Sequence, residues 1–74
     1  MTVRWSEAAD ACVRRIPDWR LAGRVCGAVY LFATIGVGDV RRVGREYRLR
    51  IDGYVVRFSV DDDTLTVWTV FQLG

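Results

Sequence analysis

The stretch Glu46-Tyr-Arg-Leu-Arg-Ile51, Asp52-Gly53, Tyr54-Val-Val-Arg-Phe-Ser-Val60 carries the strongest structural signal in the chain. Tyr47, Leu49 and Ile51 alternate with Glu46, Arg48 and Arg50, the period of a half-buried strand. Asp52-Gly53 then signals a two-residue hairpin turn, because Gly accepts positive φ and Asp supports it. Tyr54, Val56, Phe58 and Val60 resume the alternation. A turn of two residues fixes the register. It sets Ile51 opposite Tyr54, Leu49 opposite Val56 and Tyr47 opposite Phe58, all on one apolar face.

The same register sets Arg50 opposite Val55 and Arg48 opposite Arg57 on the other face. Like charges across a strand pair repel by about a few tenths to 1 kcal/mol. Glu46 offsets part of that excess and leaves Arg48, Arg50 and Arg57 as a basic triangle. Arg41, Arg42 and Arg45 lead into the hairpin, either extending its field or forming a solvated linker. If Val60 pairs with Leu65, Trp68 stands beside Arg57 on the same outer face, and a slip of one residue would bury it instead. Guanidinium groups beside an indole suit phosphate contacts with base stacking. The alternative is a solvated sheet face in an arginine-biased sequence, with Trp68 in the core.

On the N-terminal side, Thr2 to Trp5 forms a short strand and Ser6 an N-cap, with Glu7 and Asp10 near the positive end of a helix dipole. Ala9, Cys12, Val13 and Ile16 make the apolar stripe of a first helix, which Pro17 stops. Pro17-Asp18-Trp19 opens a second helix with Leu21, Val25, Val29 and Phe32 on its stripe and Ala22, Cys26 and Ala33 beside it; Gly36 and Gly38 end it. After the hairpin, Asp61-Asp62-Asp63-Thr64 makes a turn and Leu65 to Leu73 a last strand. The expected plan is α+β, in the order β-α-α-β-β-β: a helical hairpin packed on one face of a small antiparallel sheet. With 74 residues, 1–74 is read as one domain.

The composition narrows the chemistry. All 11 basic residues are Arg, against nine acidic, and there is no His. Histidine-based nucleophile systems and His-ligated metals are therefore excluded, and no side chain titrates near neutral pH without a large shift. Any catalysis would rest on positioning and fixed positive charge. The uncharged run Val25 to Gly38 is shorter than a membrane span, and the N-terminus turns acidic where a signal peptide would be apolar, so a cytoplasmic protein without membrane contact is expected. Cys12 and Cys26 read as two small buried thiols rather than a zinc or redox pair. The Asp61–Asp63 run lacks the Gly and Glu of a calcium loop, having Thr66 and Gln72 there, and Gly36-Val-Gly38 lacks the rest of a dinucleotide fingerprint. No metal and no small-molecule cofactor is called for.

Tyr47-Arg-Leu-Arg50, the Asp52-Gly53 turn, Tyr54-Val-Val-Arg-Phe58 and the acidic turn before Leu65-Thr-Val-Trp68 resemble the RelE/ParE superfamily of bacterial toxins. The resemblance spans nearly the whole chain and is most specific over 46–60. It implies a toxin of a type II toxin–antitoxin system, held inactive by a cognate antitoxin that wraps it with a helix or an added strand. It implies for a RelE-like member ribosome-dependent cleavage of mRNA and translation repression, and for a ParE-like member inhibition of DNA gyrase. By position, it places Arg48 and Arg50 on the RNA backbone and the scissile phosphate. Where the family has Arg after the turn tyrosine, this chain has Val55, and Arg57, on the same face, is the candidate substitute. The family pattern continues after the last strand with a Gly-His-Arg-like segment and a catalytic tyrosine, absent up to Gly74, so a truncated homologue that only binds an antitoxin is a third reading. Candidate catalytic residues are thus Arg48, Arg50 and Arg57. Candidate nucleic-acid contacts are Arg45, Arg48, Arg50, Arg57 and Trp68, and the partners are an antitoxin and, for an active nuclease, ribosome and mRNA.

Overall fold

A computed structural model describes residues 1–73. Its elements are β1 (Thr2–Trp5), α1 (Glu7–Arg14), α2 (Trp19–Ile35), β2 (Asp39–Val43), β3 (Glu46–Ile51), β4 (Tyr54–Asp61) and β5 (Thr64–Gln72). The strands form one sheet of five in the order β1-β5-β4-β3-β2. The helices cover one face, as the α+β reading expects.

Two features of the sheet depart from that expectation. Asp39 to Val43, read as loop and linker, is a strand antiparallel to β3, joined to it by the turn Gly44-Arg45. Gly44 takes φ of 63° there, which glycine adopts without strain. The sequence hides this strand because only Val40 of its inward positions is apolar; Arg42 occupies the other. The second departure is at the opposite edge, where β1 pairs with β5 in parallel, so the sheet is mixed.

The helices start where the local chemistry dictates. Ser6 accepts from the Ala9 N–H at 3.0 Å, satisfying a free donor at the start of α1. Asp18 accepts from the Arg20 N–H at 2.9 Å and opens α2. Gly36, in the left-handed conformation, closes α2. Arg24 of α2 reaches Asp52 in the hairpin turn at 2.8 Å, tying helix to sheet at that end.

The central hairpin has the register read from the sequence: Ile51 with Tyr54, Leu49 with Val56, Tyr47 with Phe58, and Arg48 with Arg57. Leu49, Val56 and Phe58 are fully buried with Val25, Val29, Leu65 and Val67. Phe58 stacks on Tyr47 and tilts against Phe32 of α2, both at 5.4 Å between centroids. A one-residue slip of β4 would expose Tyr54, Val56 and Phe58 together. At ~1.5–3 kcal/mol per buried side chain, that is comparable with the whole stability of a domain this size. Repulsion between Arg48 and Arg57, at most about 1 kcal/mol, cannot shift it.

Candidate nucleic-acid interface

The sheet face away from the helices is built in rows across neighbouring strands. One row runs Arg41 (β2), Arg48 (β3), Arg57 (β4) and Thr69 (β5). The next, two residues along, runs Asp39, Arg50, Val55 and Phe71. Strands lie about 4.8 Å apart, so each row places its side chains at that interval.

The structure redistributes the expected basic triangle. Arg48 and Arg50 are exposed and sit as read. Arg57 is not free: its Nε lies in ion-pair contact with Glu46 Oε2. Both atoms are buried, so the pairing is shielded from water. Arg41 stands on the other side of Arg48, on β2. Among the described residues, no carboxylate lies in ion-pair range of Arg41, Arg48 or Arg50. Arg45 occupies the β2–β3 turn, about 17 Å along β3 from Arg50, and stands apart from the group. At the other edge, Arg4 lies opposite Thr66 on β1, with its neighbours Val3 and Trp5 turned to the core. The sequence carries no sign of Arg4 and leaves Arg41 open between the hairpin's field and a solvated linker, since the face of each depends on pairing with another strand.

Trp68 is on the outer face, 42% exposed, by a route the straight register does not describe. Val60 pairs with Leu65 and Phe58 with Val67, but Arg57 pairs with Thr69. Trp68 is the extra residue of a β-bulge. Its carbonyl accepts from the Ser6 hydroxyl at 2.7 Å, and its indole N–H donates to Ser59 Oγ at 2.8 Å. The bulge then reverses the facing of the residues beyond it: Val70 enters the core and Phe71 turns out.

Val55 stands where the family pattern has Arg. With a long Arg50 on one side and Phe71 on the other, this short side chain floors a trough of about 330 Å³. Phe71 and Leu73 wall it, and Arg41, Arg48 and Arg50 rim it. Guanidinium groups here can grip phosphates in a bidentate manner and stabilise charge that develops on one. No imidazole is present to move a proton. Away from this face, burial and the nearby Asp10 carboxylate push the Cys26 thiol up. No helix among the described residues is long and apolar enough to cross a membrane.

No protein-family model and no curated protein sequence matches the chain. Solved structures do. A chain of the RelB–RelE antitoxin–toxin complex from Methanococcus jannaschii superposes with TM-score 0.77 at 14% identity, over 93% of this chain and 88% of that one. A chain of the YoeB–YefM complex from Staphylococcus aureus gives TM-score 0.77 at 10% identity, over 100% and 97%. A chain of the chromosomal ParDE system from P. aeruginosa gives 0.69 at 14%, over 100% and 97%. The arrangement of a helical hairpin on one face of a five-stranded sheet is thus a fold that this chain shares, over nearly its whole length, with chains of these complexes.

Proposed function

We propose that this chain is the toxin of a type II toxin–antitoxin pair and acts as a RelE-like, ribosome-dependent mRNA endonuclease that represses translation in the cytoplasm. The observation that carries the reading is the arginine face: Arg41 and Arg48 on adjacent strands with Arg50 beside them, exposed and without carboxylate partners among the described residues. Asp39 stands opposite Arg50, but in the next row Arg41 faces Arg48 and Arg48 faces Arg57, where a merely solvated face would alternate sign and avoid the repulsion. In this reading, Arg48 and Arg50 hold the phosphates flanking the scissile bond and stabilise the charge that accumulates on it, with Arg41 and Arg57 extending the field. Attack of a ribose 2′-hydroxyl on the phosphorus, its proton passing to water while the P–O5′ bond breaks and the 5′-oxygen takes a proton from water, would need no imidazole from the protein if the phosphate is held in line and its charge is neutralised. The antitoxin partner is supported by the likeness to chains of antitoxin–toxin complexes.

The test is transcriptome-wide mapping of RNA 5′ ends shortly after induction in bacteria, beside an Arg48→Ala/Arg50→Ala double variant. New ends inside translated frames that vanish in the double variant are expected. Growth arrest without new ends would overturn the nuclease. The likeness to a ParDE chain favours a second reading, a ParE-like gyrase inhibitor, whose mark is DNA-damage signalling with intact transcripts.

A further inference from the structure

The trough over Val55 is more than a gap between arginines. Val55 is only 4% exposed although it lies on the face without helices. Its cover comes from its neighbours: Arg50 across one strand gap and Phe71 across the other. Phe71 itself is 41% exposed, a ring left half in water by the bulge at Trp68. A face made only to grip phosphate has no use for an exposed phenyl wall, and solvating it carries a hydrophobic cost.

Along β5 the outer face presents Trp68 level with Arg57, then Phe71 level with Val55. The two rings stand on one strand with Thr69 between them, and the guanidinium groups of Arg48 and Arg50 lie across β4 from that strand. Rings spaced along a cationic surface are how proteins hold single-stranded nucleic acid: bases stack on the rings while the backbone tracks the cations. A docked acidic peptide would also find cations and apolar surface here, but a phenyl ring across Val55 from the exposed Arg50, with Arg48 beside it, matches one base and its adjoining phosphate.

We propose that the trough floored by Val55, walled by Phe71 and Leu73 and rimmed by Arg41, Arg48 and Arg50, is a nucleobase subsite of a single-stranded RNA. The base stacks on Phe71, and its adjoining phosphate lies on Arg48 and Arg50. The subsite rests on the RNA-directed reading above and adds to it a recognition element outside the arginines. Because the floor is apolar, the base enters by its flat face rather than by a hydrogen-bonded edge, so the subsite selects for the presence of a ring more than for its identity.

Binding of the purified chain to a fluorescein-labelled RNA hexamer is measured at fixed salt, beside the same hexamer with one central abasic nucleotide. Phe71→Leu keeps apolar volume and removes the π face; Phe71→Trp restores a ring; Arg50→Ala removes a cation. Phe71→Leu is expected to weaken the intact hexamer by about tenfold and the abasic one much less, with Phe71→Trp near wild type. Arg50→Ala is expected to weaken both alike. Circular dichroism and a urea midpoint establish that each variant is folded. Equal binding of both hexamers by the wild type, unaffected by Phe71→Leu, would overturn the subsite and leave the RNA-directed reading standing. Failure of the folded wild-type chain to bind either hexamer would overturn the subsite, while the ribosome-dependent reading stands or falls on the 5′-end mapping.

Discussion

If the arginine row is maintained for binding rather than for folding, removing its centre should make the protein more stable and less able to hold RNA. Arg48 is that centre, with Arg41 across one strand gap and Arg57 across the other. Each like-charge neighbour costs about 0.2–1 kcal/mol, and the share from Arg57 falls at the low end because Glu46 already faces it. Arg48→Gln keeps the side-chain stem and removes the charge. It should therefore raise stability by about 0.5–1.5 kcal/mol at low salt, equivalent to roughly 2–12 °C in Tm for a domain of this length. The gain must be electrostatic. At 1 M salt the Debye length falls to about 3 Å, shorter than the strand spacing, so most of it should disappear. In parallel, one lost phosphate contact should lower the slope of log K against log salt for single-stranded RNA by about 0.7. Urea denaturation at low salt and at about 1 M salt, with RNA titrations on the same samples, reads both effects. A stability loss at low salt, or a gain indifferent to salt, would refute the idea that these arginines repel one another in the folded chain.

Three further outcomes are expected from the same geometry. Ser6→Ala removes both the cap on α1 and the donor to the Trp68 carbonyl, so urea denaturation should show a loss of about 2 kcal/mol, with Ser6→Thr close to wild type; a loss under about 0.5 kcal/mol would mean the hydroxyl holds neither. Glu46→Gln releases Arg57 to the outer face, and titration at low salt should show RNA binding tightened severalfold, whereas unchanged affinity would place Arg57 outside the binding path. Cys26, its thiol pushed up by burial and by Asp10, should react with iodoacetamide at mildly alkaline pH more slowly than the same cysteine in the urea-unfolded chain. Its folded pKa lies above the ordinary 9.0, so its contribution to stability is present below that pH and declines as pH rises past it.

Legibility in the sequence tracked the range of the contacts involved. The 46–60 hairpin could be read pair by pair, because Asp52-Gly53 sets the register locally and the period-two pattern then assigns every side chain to a face. The helix starts at Ser6 and Asp18 were legible for the same reason, as caps act within a single turn. β2 was not, since two of its residues at most carry an apolar signal and its existence depends on pairing with β3. With β2 hidden, Arg41 could not be assigned to the site. The Glu46–Arg57 pair was half visible: the proximity came from the register, but the strength of the pairing did not. The bulge at Trp68 gave no signal, because no glycine marks it.

That bulge links folding to the proposed RNA face. A straight continuation of the β4–β5 register from Val60–Leu65 would set Thr69 opposite Val56 in the core, Val70 opposite Val55 outside, and Phe71 inward beside Tyr54. The inserted Trp68 instead puts Val70 in the core, at 4% exposure, and sends Thr69 and Phe71 out. Burying valine in place of threonine favours the bulge, since the hydroxyl would need a partner there. Exposing Phe71 opposes it. Two hydrogen bonds tilt the balance: the Ser6 hydroxyl satisfies the carbonyl of the inserted residue, and Ser59 fixes its indole. Ser6 is at the same time the cap of α1, so the helix layer and the outer sheet face are set by one side chain. The ring that walls the trough is therefore held outward in part by Val70 in the core and by Ser6 at the start of the helix layer, where the core, worth several kcal/mol, is indifferent to what the outer face binds.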